Sequence, residues 1–143
     1  EVHTAKLRAN FNYLFNNIAF IMYLSQWSYT KEEWKNFLNW KSRKYGKVYT
    51  LVRNIICIKE QNVPEVKIAT DRVWIDKEHK PFQSRNRQFR CIHIREEKNI
   101  NILEICYEQE NKIIGINVPI PKGKLREAIE VQQRIILDNE SIG

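Results

Sequence analysis

The densest group of chemistry-bearing side chains is Asp71, Asp76, Glu78, His79 and Lys80. Two or three carboxylates hold a divalent cation, and a neighbouring lysine stabilises charge developing on a phosphate. Asp76-Lys77-Glu78-His79-Lys80 contains the Glu-x-Lys triplet that such a centre uses. The usual arrangement places the first acid on a separate strand well upstream, whereas here the acids crowd into one apparent turn. A charged hairpin tip accounts for them through ordinary turn preferences. A metal-dependent nuclease or hydrolase centred on Asp71, Asp76 and Glu78 is therefore the third reading of the chain, and no catalytic residue is assigned.

Cys91-x-His93 offers two metal ligands on one face of a strand, and Cys106 on a neighbouring strand would add a third. A structural zinc site needs four, and no fourth is evident, so neither a metal nor a cofactor is expected. The same two cysteines fall on adjacent strands, where oxidation would let them pair. With Cys57 the total is three, widely spaced and without a CxxC pair, which points to buried free thiols in a reducing compartment, the cytoplasm. Gly123-Lys124 before a helix fails the Walker pattern, because Gly115 stands too far back and Leu125 replaces the Ser or Thr that would bind Mg²⁺. Lys122, Lys124 and Arg126 still gather at a helix N-terminus, where free N–H groups favour an anion. No serine lies in a Gly-x-Ser-x-Gly setting, and 4 glycines are too few for a dinucleotide fingerprint. Catalysis is thus not the expected role.

The charge is more telling. The formal net charge is +7, and nearly all of that excess lies in residues 1–60. Lys41, Arg43, Lys44, Lys47, Arg53 and Lys59 follow one another with no acid between them. Such a cluster favours an anionic partner: nucleic acid, an acidic protein face or an anionic membrane surface. Aromatic residues are interleaved with it, and Trp27, Trp40 and Tyr45 are candidate partner-binding residues. Lys41, Arg43, Lys44, Lys47 and Arg53, extended by Arg85, Arg87 and Arg90 if the two regions meet, are the candidate anion or nucleic-acid contacts.

These residues must be positioned by a small set of elements. At 143 residues, with ordinary hydrophobic and charged fractions, the chain is expected to be one domain, residues 1–143. It begins at Glu1 rather than Met and is read as a processed or trimmed product or part of something longer. Ala5–Leu24 has apolar residues at helical spacing, and its all-apolar run Ile18–Leu24 is too short for a bilayer span. A capping box, Thr30-x-x-Glu33, opens a second helix that Gly46 ends, with Trp34, Phe37 and Leu38 inward and Trp40 to the side. Val48–Lys59 is rich in β-branched residues and reads as a strand, although a helical phase also fits it. Val66–Ala69 and Arg72–Asp76 are strand material around a bend, and Lys77–Asn86 is a polar excursion. Phe89–Ile94, Ile100–Tyr107 and Ile113–Val118 alternate with period two, and Leu125–Leu137 resumes helical spacing.

The expected fold class is α+β: two N-terminal helices, an antiparallel meander of about five strands, and a C-terminal helix packed on the sheet. The helical part is 1–46, the sheet and closing helix 47–138, and the tail 139–143 frays. A sheet closed by one C-terminal helix is similar in outline to pleckstrin-homology-like modules, a likeness of fold alone. The first functional reading is a non-catalytic intracellular interaction module that docks on a protein or larger assembly through an apolar and aromatic helical face with a basic rim. Nucleic-acid binding through the basic 41–59 stretch is the alternative, and no small-molecule substrate is expected.

Overall fold

A computed structural model describes residues 23–46 and 63–140. In chain order these form β1 (Tyr23–Trp27), α1 (Lys31–Tyr45), β2 (Val66–Ala69), β3 (Arg72–Ile75), β4 (Glu78–Pro81), β5 (Gln88–Glu97), β6 (Ile100–Gln109), β7 (Lys112–Ile120) and α2 (Leu125–Glu140). The class is α+β, as composition and periodicity require. The sheet is not one meander of five strands: β1-β2-β3-β4 form one antiparallel sheet and β5-β6-β7 another.

Two features of the first sheet escape the sequence pattern. Tyr23 and Leu24, expected to end a helix, open β1, which pairs antiparallel with β2. Residues 5–22 of that expected helix, and the expected strand Val48–Lys59, lie outside the described residues. In β1 only Ser25 and Trp27 turn fully inward, and five residues are too few for a period to declare itself. The first half of the polar excursion is also a strand, β4, paired with β3 from Arg72↔Pro81 to Ile75↔Glu78. It is the outermost strand of its sheet, where charged side chains and a proline are tolerated because one edge faces away from the ladder.

The second sheet keeps the expected order with longer strands. Glu110 and Asn111 join β6 to β7 with φ of 51° and 63°, the two-residue left-handed turn that matches strand twist. On one face Ile92, Leu103, Ile105, Tyr107, Ile116, Val118 and Ile120 pack with Trp27, Val66, Ile68, Val73 and Phe82 of the first half, and with Ala128, Val131 and Ile135 of α2. The two sheets and α2 therefore share one core. Helix α1 lies on the opposite face, where Phe37 and Trp40 enclose Ile102.

Polar bonds fasten the helices. The capping box of α1 is complete: Glu33 N donates to Thr30 Oγ1 at 3.1 Å, and Thr30 N donates to Glu33 Oε1 at 2.9 Å. The other oxygen of Glu33 accepts from Lys122 N at 2.7 Å, tying α1 to the turn before α2. In that turn Lys124 N donates to Pro121 O, and Gly123 has φ 82°, which other residues adopt only with strain. Gln132 donates to Ile92 O of β5, Asn139 to Thr70 O between β2 and β3, and Ser25 of β1 to Glu127. Asn139 and Glu140, expected to fray, thus belong to α2.

Losing the cap and losing the packing of α1 should differ in size. Thr30→Ala is expected to cost about 1 kcal/mol. Phe37→Ala, which empties a fully buried position, should cost about 3–5 kcal/mol. Urea unfolding followed by tryptophan fluorescence checks both, and equal losses would mean that the cap rather than the core holds α1.

Candidate interaction site

Strand β6 explains how a basic surface is assembled. From Ile102 to Tyr107 every residue is buried, and this run includes Glu104. Alternation sends Leu103, Ile105 and Tyr107 to the shared core and Ile102, Glu104 and Cys106 to the outer face. A carboxylate held there needs cations. Glu104 Oε2 accepts from Lys44 Nζ at 3.2 Å, and Oε1 accepts from Arg95 Nη2 at 2.8 Å. Burial alone would raise the Glu104 carboxyl, but bonds to Arg95 and Lys44 hold it below the usual carboxylate range. Opposite Glu104 on β7 stands Asn117, whose Nδ2 donates to Tyr45 Oη at 3.0 Å and whose Oδ1 is buried without a partner. The C-terminal turn of α1 is thereby fastened to β6 and β7 by Lys44 and Tyr45.

That attachment brings the end of α1 against the β5–β6 turn. Trp40, Arg43 and Lys44 face Glu97 and Lys98 across an open cleft of about 400 Å³. Lys44 Nζ lies 4.9 Å from the Trp40 ring centre, a cation–π distance. Lys41 Nζ sits 5.1 Å from the Phe37 ring centre; burial, then nearby Lys80, lowers its affinity for a proton. Arg43 and Lys98 are exposed, so the cleft presents positive charge from two elements distant in sequence.

The candidate residues separate into three groups. Lys41, Arg43, Lys44 and Tyr45 share the C-terminal half of α1, and Tyr45 is 49% exposed. Lys47 and Arg53 lie outside the described residues. Arg85 and Arg87 do not join them: they border another cleft, of about 410 Å³, with Gln88 and Glu108. Gln88↔Glu108 and Glu97↔Ile100 close opposite ends of the β5–β6 ladder. About nine strand steps, or roughly 30 Å, separate the two regions. Arg87 is moreover occupied, donating to Pro81 O at 2.8 Å and stacking on Tyr107. Arg90, next in that series, pairs with Glu108.

Two of the expected partner-binding residues are buried. Trp27 is 1% exposed in the shared core, and Trp40 is 7% exposed, its ring between α1 and Ile102 at the floor of the cleft. Trp27 follows the inward parity of β1, and Trp40 falls one turn after Phe37 on the face that meets Ile102.

The other constellations resolve into structure. Asp71 makes two bonds to Arg72, at 2.9 and 2.7 Å. Asp76 occupies the β3–β4 turn at φ 52° and accepts from Glu65 N at 2.8 Å. Glu78 lies 3.7 Å from Lys80. His93 is exposed opposite Glu104, and among the described residues no set of three His, Cys, Asp or Glu side chains is placed to hold a metal ion. The anion received near Lys122 is the chain's own Glu33, while Lys124 pairs with Glu127 at 3.3 Å. Among the described residues no helix is long and apolar enough to cross a membrane.

Sequence reasoning missed Glu104, Arg95, Asn117 and Lys98. Glu104 had a signal: it is the one charge inside the apolar run Ile102–Tyr107. Lys98 had none, because a turn lysine is ordinary. No protein-family model, curated protein or solved structure matches the chain.

Replacing Glu104 with Gln should cost about 1–2 kcal/mol at neutral pH, discounted because Lys44 and Arg95 keep access to water. The carboxyl is held low, so its stabilisation is present above the usual carboxylate range and lost as pH falls through the lowered value. The gap between wild type and Glu104→Gln should therefore narrow from about pH 4 downwards. Urea midpoints across that range check it, and a constant gap would mean that shape rather than charge is at stake.

Proposed function

We propose that this chain is a non-catalytic docking domain that binds an acidic face of a protein partner through the cleft between the end of α1 and the β5–β6 turn. The observation that carries this reading is the convergence of Arg43, Lys44 and Lys98 around Trp40, with Arg95 alongside. Trp34, Phe37 and Trp40 of α1 are spent on internal packing, so the basic rim, with the exposed Tyr45 beside it, is the recognition feature. Cations at a rim steer an acidic partner and set the rate of encounter. Catalysis finds less support, since the carboxylates of the Asp71–Glu78 group serve a turn and ion pairs.

Nucleic acid is the competing anion. It would prefer a continuous stripe of phosphate contacts, and Arg85 and Arg87 stand at the far end of the ladder. Fluorescence anisotropy with a labelled glutamate-rich peptide, single- and double-stranded DNA, and RNA separates the readings. The expected result is salt-dependent binding of the acidic peptide, weakened at least tenfold by Arg43→Glu with Lys98→Glu and unchanged by Arg85→Glu. Tighter binding of any nucleic acid, with a log–log salt slope of several units, would replace this reading with the nucleic-acid one.

A further inference from the structure

Cys91 and Cys106 stand directly opposite each other in the β5–β6 ladder. The register runs without irregularity from Cys91 to Glu97, the one bulge lying on the other side, between Phe89 and Cys91. Opposed residues in an antiparallel pair hold their Cα atoms about 4.5–5.5 Å apart, inside the span of about 4.4–6.8 Å that a disulfide bridges. Both side chains leave the sheet on its outer face, one row beyond Glu104, where Cys106 Sγ donates to Glu104 Oε1 at 3.9 Å. The third place in their row, on β7, is Gly115, which is exposed and has no side chain to cover them. Cys91 is half-buried and Cys106 buried, both as free thiols.

We propose that Cys91 and Cys106 are a dithiol modification site, oxidised by low-molecular-weight disulfides to a cross-strand disulfide between β5 and β6. The more accessible Cys91 sulfur, as its thiolate, attacks one sulfur of the oxidant; a mixed disulfide forms and one thiolate leaves, taking a proton from water. The Cys106 sulfur then loses its proton to water and attacks the Cys91 sulfur, expelling the second thiol of the oxidant. Two protein thiols and one small disulfide become one protein disulfide and two small thiols, with no other reactant. The order follows from position and acidity. Burial, then the Cys91 thiol and the Glu104 carboxylate, push the Cys106 thiol up to about 12, so it resolves rather than initiates. Because the bond links strands already paired, the fold is retained and the chain between them is restrained.

The test uses the whole chain carrying Cys57→Ser, so that the third thiol is removed. The folded protein is equilibrated with oxidised and reduced glutathione, alkylated with a maleimide, and examined by intact mass and by tryptic mapping. The expected result is loss of the mass of two hydrogens and a peptide pair joined through Cys91 and Cys106. Dithiothreitol should reverse it, and thermal unfolding of the oxidised form should shift upwards by several degrees. A lasting glutathione adduct on Cys91 with Cys106 still alkylated would overturn the proposal, as would full alkylation of both. Should Cys57→Ser not fold, the wild-type chain is mapped in the same way, and a bridge from Cys57 to either residue would equally overturn it.

Discussion

Everything in this fold is arranged around the two-sided burial of β6. Its ladder bonds are taken by β5 and β7, so what remains is to cover an apolar run on both faces at once. One face is covered by the first sheet and α2, the other by α1 through Phe37 and Trp40. A strand buried on both faces ordinarily excludes charge. Glu104 is the exception, and it recruits Lys44 from α1 and Arg95 from β5 as its counter-charges. The pairing is not required to be a large net gain in stability, since two cations must be held and partly dehydrated. Its structural consequence is orientation: it sets the last turn of α1 against β6 and so leaves Arg43 beside Lys98.

A second carboxylate performs a related task at the other end of α1. Glu33 closes the capping box and also receives the backbone N–H of Lys122. Nearby, the Tyr29 hydroxyl donates to Pro119 O, and burial followed by the Glu33 charge holds that phenol protonated. Each end of α1 is therefore tied down through an acid: Glu33 of the helix accepts from the turn after β7, and Glu104 of β6 accepts from Lys44 of the helix. Helix α2, on the opposite side, is fixed to β1, β5 and the β2–β3 turn by Ser25, Gln132 and Asn139. These bonds are specific where the apolar core is permissive.

The outer face of the second sheet changes character along its length. At the Ile102 and Pro119 end it is covered by α1. At the Glu104 and Asn117 row it becomes polar and is capped by Lys44 and Tyr45. One row further it opens at Cys91, Cys106 and Gly115. The part covered by α1 thus lies between the basic cleft at the β5–β6 turn and the row of Cys91, Cys106 and Gly115, with the Glu104 row next to the cysteines.

What residue order alone determined is local. The capping box Thr30–Glu33, the stop at Gly46, the three alternating strands and the closing helix are each written in neighbours a few residues apart, where backbone bonding and side-chain period dominate. Legible too were the basic cluster on α1 and the adjacency of Cys91 and Cys106. What only the tertiary structure decided is partnership at long range. Period two does not say that the meander breaks between β4 and β5 into two sheets, nor that Glu-His-Lys-Pro pairs as an edge strand. Helical spacing does not say that Trp40 meets Ile102, because several faces of α1 carry aromatic side chains. The distance between Arg43 and Arg87, and the nearness of Arg43 to Lys98, follow from where a buried carboxylate found its cations. That choice is made by packing and desolvation in three dimensions, and a one-dimensional pattern holds no record of it.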